Sequence, residues 1–234
     1  MSLFSDLKAL LITKEIVFRK VINEGEDVYT FLFDACESLK WIAGQHGAFV
    51  VKHTKIKKGT RPFSIASSPL ENEIMISMKI GKQPSEYKKA LLEMKSGTKM
   101  VLRGPIGGFY IDPSKPTCFI AGGIGITPFR AMLKDIVMKE KNFKGKVNLL
   151  YINSTGKFLY EKELKTFAKA NNIQIDFFID KEKLTEKTKE ITSSNEDTQY
   201  FLAGPKQMNT SIKATLLGQD VKKKNIKMDT FLGY

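Results

Sequence analysis

Two short stretches hold residues whose types and spacing could do chemistry. In AGGIGITPF, residues 121–129, Gly122, Gly123 and Gly125 withdraw side chains where a strand would turn into a helix. A phosphate could then approach backbone N–H groups at the positive end of that helix, as a dinucleotide pyrophosphate does. Any tight strand-to-helix turn can also use glycine, so this stretch does not decide by itself. In RPFSIASSP, residues 61–69, Arg61 stands beside a proline, an aromatic and a run of serines, in a chain whose positive charge comes mostly from lysine. A guanidinium is a rigid fork of donors, which suits an anionic pyrophosphate better than a lysine point charge does.

The elements that must position these residues fall into two regimes. The first hundred residues carry six short runs rich in β-branched and aromatic residues: ITKEIVFRKVI, DVYTFLFD, GQHGAFVVKH, RPFSIASS, EIMISMKI and TKMVLRGP. Their separation by Gly, Asn, Pro or charged clusters predicts a six-stranded antiparallel β-barrel. One helix interrupts it, PSEYKKALLEMKSG, with Ser85 as N-cap, Leu91, Leu92 and Met94 as its buried face and Gly97 as its stop. After GPIGGFYIDPSKP, a linker by its Gly and Pro content, strands and helices alternate from TCFIAGG to KQMNTSIKATLLGQ. Alternation of this kind predicts a Rossmann-like parallel α/β fold. The expected domains are therefore 1–110 and 111–234.

Composition narrows the class. No uncharged apolar run reaches the ~18 residues of a membrane span, and the opening MSLFSDLKALLI places Asp6 and Lys8 where a signal peptide needs an apolar core. The expected location is the cytoplasm, with no stable membrane insertion. Cys36 and Cys118 are too few for a four-thiolate cluster or a zinc site of their own, so no metal is expected and both are read as buried small hydrophobes. The net charge of +13 is spread over the chain, with 17 Lys+Arg against 11 Asp+Glu in residues 1–111 and 21 against 14 in the remainder. Such a field favours acidic partners without naming one. A nucleic-acid-binding barrel would interleave aromatics with its cations, and KHTKIKKGTR has none, so nucleic acid is not expected.

Four motifs in order resemble those of the ferredoxin–NADP+ reductase superfamily of flavoprotein oxidoreductases. Arg61, Pro62, Phe63 and Ser64 match its R-x-[YF]-S flavin signature, and Gly104 to Phe109 its G-P-x-G-x-F linker. Gly122 to Pro128, which include Thr127, match its G-G-x-G-x-T-P signature, and Gly204, Pro205 and Met208 its late G-P-x-x-M. The resemblance spans essentially the whole chain. It implies that Arg61 binds the phosphate end of FAD (FMN being the lesser expectation), that Phe63 lies along the flavin, that Ser64 hydrogen-bonds N5, and that Ser85 makes a second phosphate contact.

The same resemblance implies an aromatic stacked on the flavin face that nicotinamide must occupy. Phe231 fits that position best and Tyr234 is the alternative; Asp229 either takes part in proton transfer or is an exposed edge carboxylate. Ala203 stands where many relatives carry cysteine, which implies a lower rate or altered selectivity. Coenzyme choice stays open between NADP and NAD: Ser154 and Lys157 follow the second strand of the α/β half without a carboxylate, and Lys181 and Lys183 favour a 2′-phosphate while Asp180 opposes it. The expected activity is an NAD(P)H-dependent reductase that passes hydride to flavin and single electrons to a separate ferredoxin, flavodoxin or oxygenase component. The alternative is a non-catalytic or electron-relay flavin- and nucleotide-binding subunit of a larger redox complex. An acidic redox protein is the expected partner, docking on Lys52, Lys55, Lys57 and Lys58 and on the lysines at 222 to 224.

Overall fold

The structure, a computed structural model, describes residues 11–139, 145–169, 172–192 and 197–231. The chain divides into two compact units, Met1–Tyr110 and Ile111–Tyr234.

The first unit is an antiparallel sheet of β1 (Thr13–Gly25), β2 (Val28–Asp34), β3 (His46–Val51), β4 (Thr60–Ser64), β5 (Glu73–Lys79) and β6 (Lys99–Ile106). Their order across the sheet is β4-β3-β6-β1-β2-β5. The sheet curls on itself, because the segment after β4 returns to β5 at the opposite edge. Ala66 N–H donates to Met75 O at 2.7 Å, and the buried Ser67 hydroxyl donates to Glu73 O at 2.6 Å while accepting from Met75 N at 3.1 Å. Inside lie Phe18, Phe31, Phe33 and Phe49, packed ring against ring, together with Ile16, Ile74, Ile76 and Leu102. Each such side chain contributes about 1.5–3 kcal/mol by leaving water.

Three expectations about this unit need correction. RPFSIASS is a strand only through Ser64, since the later serines serve the closing seam and the Ser68 cap of a 3-10 turn at Pro69–Glu71. The run TKMVLRGP extends as β6 through Ile106, so GPIGGFYIDPSKP leaves the strand only at Gly107, because β1 and β3 give the strand pairing partners up to Ile106. Helix α1 (Glu86–Leu92) buries Tyr87, Ala90 and Leu91, whereas Leu92 is exposed: with 3.6 residues per turn, positions i, i+3 and i+4 from Tyr87 share a face and i+5 turns away from it.

The second unit is a parallel sheet of β7 (Thr117–Gly122), β8 (Val147–Ile152), β9 (Ile173–Phe178), β10 (Gln199–Pro205) and β11 (Ile226–Phe231), ordered β11-β10-β7-β8-β9. Helices α2 (Thr127–Met138), α3 (Glu161–Phe167), α4 (Lys181–Thr192) and α5 (Lys206–Leu217) connect them. Every residue of β7 is buried, as a central strand covered on both faces requires. Its strand order reverses at β7: β8 follows on one side, and β10 returns on the other. Ligands of open α/β sheets bind beyond the carboxyl ends of the strands at such a reversal. Among the described residues, no helix is long and apolar enough to cross a membrane.

Candidate functional site

In the first unit, antiparallel pairing sets Arg61 opposite Phe49 and Phe63 opposite Gly47. Alternation along β4 leaves Arg61 and Phe63 half-buried on one face, with Pro62 exposed on the other. Tyr87, two residues after the capping Ser85, fills the space beside them. Its ring stacks on Phe63 with centroids 5.9 Å apart, and the Arg61 guanidinium carbon lies 5.7 Å from its centre. Burial raises the Tyr87 phenol well above its ordinary range against the pull of Arg61, so the hydroxyl stays protonated and donates to Phe49 O at 3.1 Å. Sequence reasoning missed Tyr87; its signal was an aromatic on the first turn of a helix otherwise rich in lysine.

Arg61 Nη1 donates to Lys58 O at 3.3 Å and to Thr60 O at 2.9 Å. Among the described residues no carboxylate pairs with it, and its other nitrogens carry no hydrogen bond. The donor set therefore fits an anionic group. Ser64 closes the strand and is buried; Ser85 is exposed, its hydroxyl accepting from Lys88 N at 3.4 Å as the cap of α1. Lys52, Lys55, Lys57 and Lys58 are all exposed in the connection from β3 to β4. Cys36 is half-exposed, 3.6 Å from the Ser38 hydroxyl, so the expectation that both cysteines are buried holds for Cys118 alone. Cys36 sits just past β2, where the chain leaves the core.

In the second unit the glycines divide by role. A Cβ at Gly122 would lie 2.5 Å from Met208 Sδ, and one at Gly204 would lie 2.8 Å from Met208 Cε and 3.1 Å from Gly122 Cα. A Cβ at Gly125 would lie 2.5 Å from the Ala203 carbonyl carbon. These three glycines let the ends of β7 and β10 close on each other and on Met208. Close packing is thus a second reason for glycine at 122 and 125, beside the room for a phosphate expected of the turn. Gly123 alone meets nothing within 4 Å, at φ +54°, so it is the open member of the turn.

The turn continues as a 3-10 turn, Gly123–Ile126, into α2. Thr127 and Pro128 are buried in the first turn of that helix, with the Thr127 hydroxyl donating to Ile124 O at 3.2 Å. Tyr151, fully buried on β8, donates to Gly123 O at 2.9 Å. Sequence reasoning missed it, since a tyrosine inside an apolar strand reads as core. Ser154 and Lys157 are exposed beyond β8. Lys181 and Lys183 lie in the first turn of α4, where Asp180 Oδ1 accepts from Glu182 N and Lys183 N at 2.8 and 3.3 Å.

At the end of β10, Pro205 is exposed and pairs in register with Phe231, and Ala203 is buried beside Asp229 in register. Buried Asn209 donates to Asp229 O at 2.9 Å, tying β11 to α5. The backbone of Phe231 closes β11, while its side chain and all of Tyr234 lie outside the described residues. Lys222, Lys223 and Lys224 are exposed just before β11. No cluster of three or more potential metal-ligating side chains occurs among the described residues.

Residues 119–214 match the family model of the oxidoreductase NAD-binding domain. The whole fold is similar to ferredoxin-NADP+ reductase from Plasmodium falciparum, with a TM-score of 0.79 at 19% identity over 94% of this chain and 96% of that one. These matches define the class as far as they reach: residues 119–214 carry an oxidoreductase NAD-binding domain, and the fold is similar to that of a ferredoxin-NADP+ reductase. Among curated relatives it is similar to flavohemoprotein A of Dictyostelium discoideum, 25% identical over 94% of this chain and 60% of that protein. It is also similar to one component of the Na(+)-translocating NADH-quinone reductase of Methylococcus capsulatus, 27% identical over 74% of this chain and 49% of that protein. The chain thus spans about half to three fifths of the length of these relatives.

Proposed function

We propose that the chain is an NAD(P)H-dependent flavoprotein reductase, with FAD held by residues up to Tyr110, ahead of FMN, and NADP or NAD held by residues from Ile111 onward. The bound groups supply hydride transfer from nicotinamide C4 to flavin N5 and release of single electrons to a separate acceptor. The observation that carries this reading is Arg61: a half-buried guanidinium, unpaired with any carboxylate among the described residues, beside the stacked rings of Phe63 and Tyr87.

In this reading Arg61 neutralises the flavin pyrophosphate, Phe63 offers an apolar face to the ring system, and the Ser64 hydroxyl makes the hydrogen bond at N5. Ser85 adds a phosphate contact. On the coenzyme side, the open Gly123 lets a pyrophosphate reach the N–H groups that begin α2, with Thr127 and Pro128 shaping that helix start. Gly122, Gly125, Gly204, Pro205 and Met208 hold the turn in place by close packing. Ser154 and Lys157 meet the adenosine ribose. Phe231, with Tyr234 as the alternative, covers the flavin, and Asp229 takes part in proton transfer. The protein's contribution is mostly position, since the cofactors carry the chemistry. The acceptor is a small acidic redox protein, and the location is the cytoplasm.

The test is whether the purified protein is yellow and bleaches anaerobically on addition of NADPH or NADH. Colourless protein that takes up no FAD overturns the reading. The similarity to one component of a larger quinone reductase favours a second reading, an electron-relay subunit, which predicts yellow protein that bleaches only with its companion subunits present.

A further inference from the structure

We infer that Tyr151 is a positioning residue that joins the segment assigned above to the coenzyme pyrophosphate with the segment assigned to its adenosine ribose, an inference that rests on that assignment. Its hydroxyl donates and accepts at one place between them. It donates to Gly123 O at 2.9 Å and accepts from Leu159 N at 3.3 Å. Gly123 belongs to the glycine turn; Leu159 ends the loop that carries Ser154 and Lys157. One buried oxygen therefore pins both.

The consequence at the turn follows from peptide geometry. In a trans peptide the carbonyl and the next N–H point in opposite directions. Holding Gly123 O against Tyr151 thus aims the Ile124 N–H away from Tyr151. Ile124 stands at the start of the 3-10 turn that leads into α2, where early N–H groups lack partners within the helix. Gly123 tolerates the required φ of +54°, and a Cβ there would meet nothing within 4 Å. At the loop, the Tyr151 bond fixes Leu159 while the Phe158 ring packs edge-on against the Tyr151 ring, with centroids 5.1 Å apart. The tyrosine is itself held by β8, where it pairs in register with Ala121 of β7, two residues before Gly123.

Such a junction should loosen both segments, and weaken coenzyme binding, when the hydroxyl alone is removed. The test uses Tyr151→Phe in the full chain. Calorimetry gives the dissociation constants for NADP+ and NAD+, amide hydrogen exchange reports on segments 123–126 and 154–159, and flavin content and thermal midpoint serve as checks on folding. The expected result is about three- to ten-fold weaker binding of whichever coenzyme the wild type takes, in line with loss of one buried hydrogen-bonding group. Exchange should be faster in both segments, and flavin content unchanged.

A second variant, Phe158→Leu, removes packing but keeps the hydroxyl. It should lower the thermal midpoint without weakening coenzyme binding. Unchanged affinity in Tyr151→Phe, faster exchange in only one segment, or equal weakening in Phe158→Leu each overturns the inference. Failure of the wild type to bind either coenzyme would instead overturn the functional assignment, and the exchange experiment would still decide whether Tyr151 couples the two segments.

Discussion

Gly125 lies directly beneath the carbonyl of Ala203: a Cβ at 125 would sit 2.5 Å from the Ala203 carbonyl carbon and closer still to its oxygen. Backbone on both sides leaves no flexible side chain to give way. Gly125→Ala should therefore destabilise the second unit by about 1–3 kcal/mol or more, as overpacking does. Gly123→Ala has room for its methyl group but not a favourable φ, at a cost of about 1–2 kcal/mol. Thermal unfolding with and without coenzyme separates the two: Gly125→Ala should act mainly on the midpoint, and Gly123→Ala mainly on coenzyme affinity. Equal midpoints for the two variants would show that the close approach at 125 is relieved by backbone movement.

Arg61→Ala should lower flavin affinity while leaving the first unit folded, because its guanidinium hydrogen-bonds only to the nearby carbonyls of Lys58 and Thr60. A charge-assisted contact contributes ~1.5–3 kcal/mol, or about ten- to a hundred-fold in affinity. Equilibrium dialysis of FAD against both proteins measures it.

Ser67→Ala should do the reverse. Its hydroxyl satisfies two backbone groups of β5 across the closing seam, and the residue is fully buried. Leaving those groups unpaired costs about 1–3 kcal/mol. Urea denaturation should show a lower midpoint, with flavin affinity unchanged in the fraction that remains folded.

The exposed Lys52, Lys55, Lys57 and Lys58 predict a salt-dependent encounter with an acidic protein acceptor. Electron transfer to an acidic ferredoxin or flavodoxin should fall steeply from low to high ionic strength, while a small neutral quinone should respond little. Lys55→Glu with Lys57→Glu should reproduce the high-salt loss. Equal salt responses for the two acceptors would leave the lysine surface without this role.

Burial raises the Cys118 thiol from an ordinary value near 9 to about 12, with Asp176 adding to the shift. The folded protein keeps this thiol protonated where the unfolded chain would ionise it. Its contribution to stability is therefore complete below about pH 9 and is lost as pH rises toward 12. Titration of native protein with a thiol reagent at pH 8 should modify Cys36 readily and Cys118 only after denaturation.

The sequence by itself determined what is local. Strand runs bounded by turn residues, the change to alternating strands and helices after residue 116, the Ser85 cap and the strand-to-helix position of the glycine turn all follow from periodicity and backbone preference over a few neighbours. Only the tertiary structure decided what depends on a second segment far along the chain. Gly122 and Gly125 read alike with Gly123 because each simply lacks a side chain; what separates them is Met208 and Ala203, some eighty residues later. Ser67 looked like part of a serine-rich strand until β5 came to meet it, and nothing around Tyr151 in the sequence marks the bonds of its hydroxyl to Gly123 O and Leu159 N. A hydrogen bond between distant segments leaves no periodic trace in sequence, because it is fixed by where two chains cross and not by the spacing along either one.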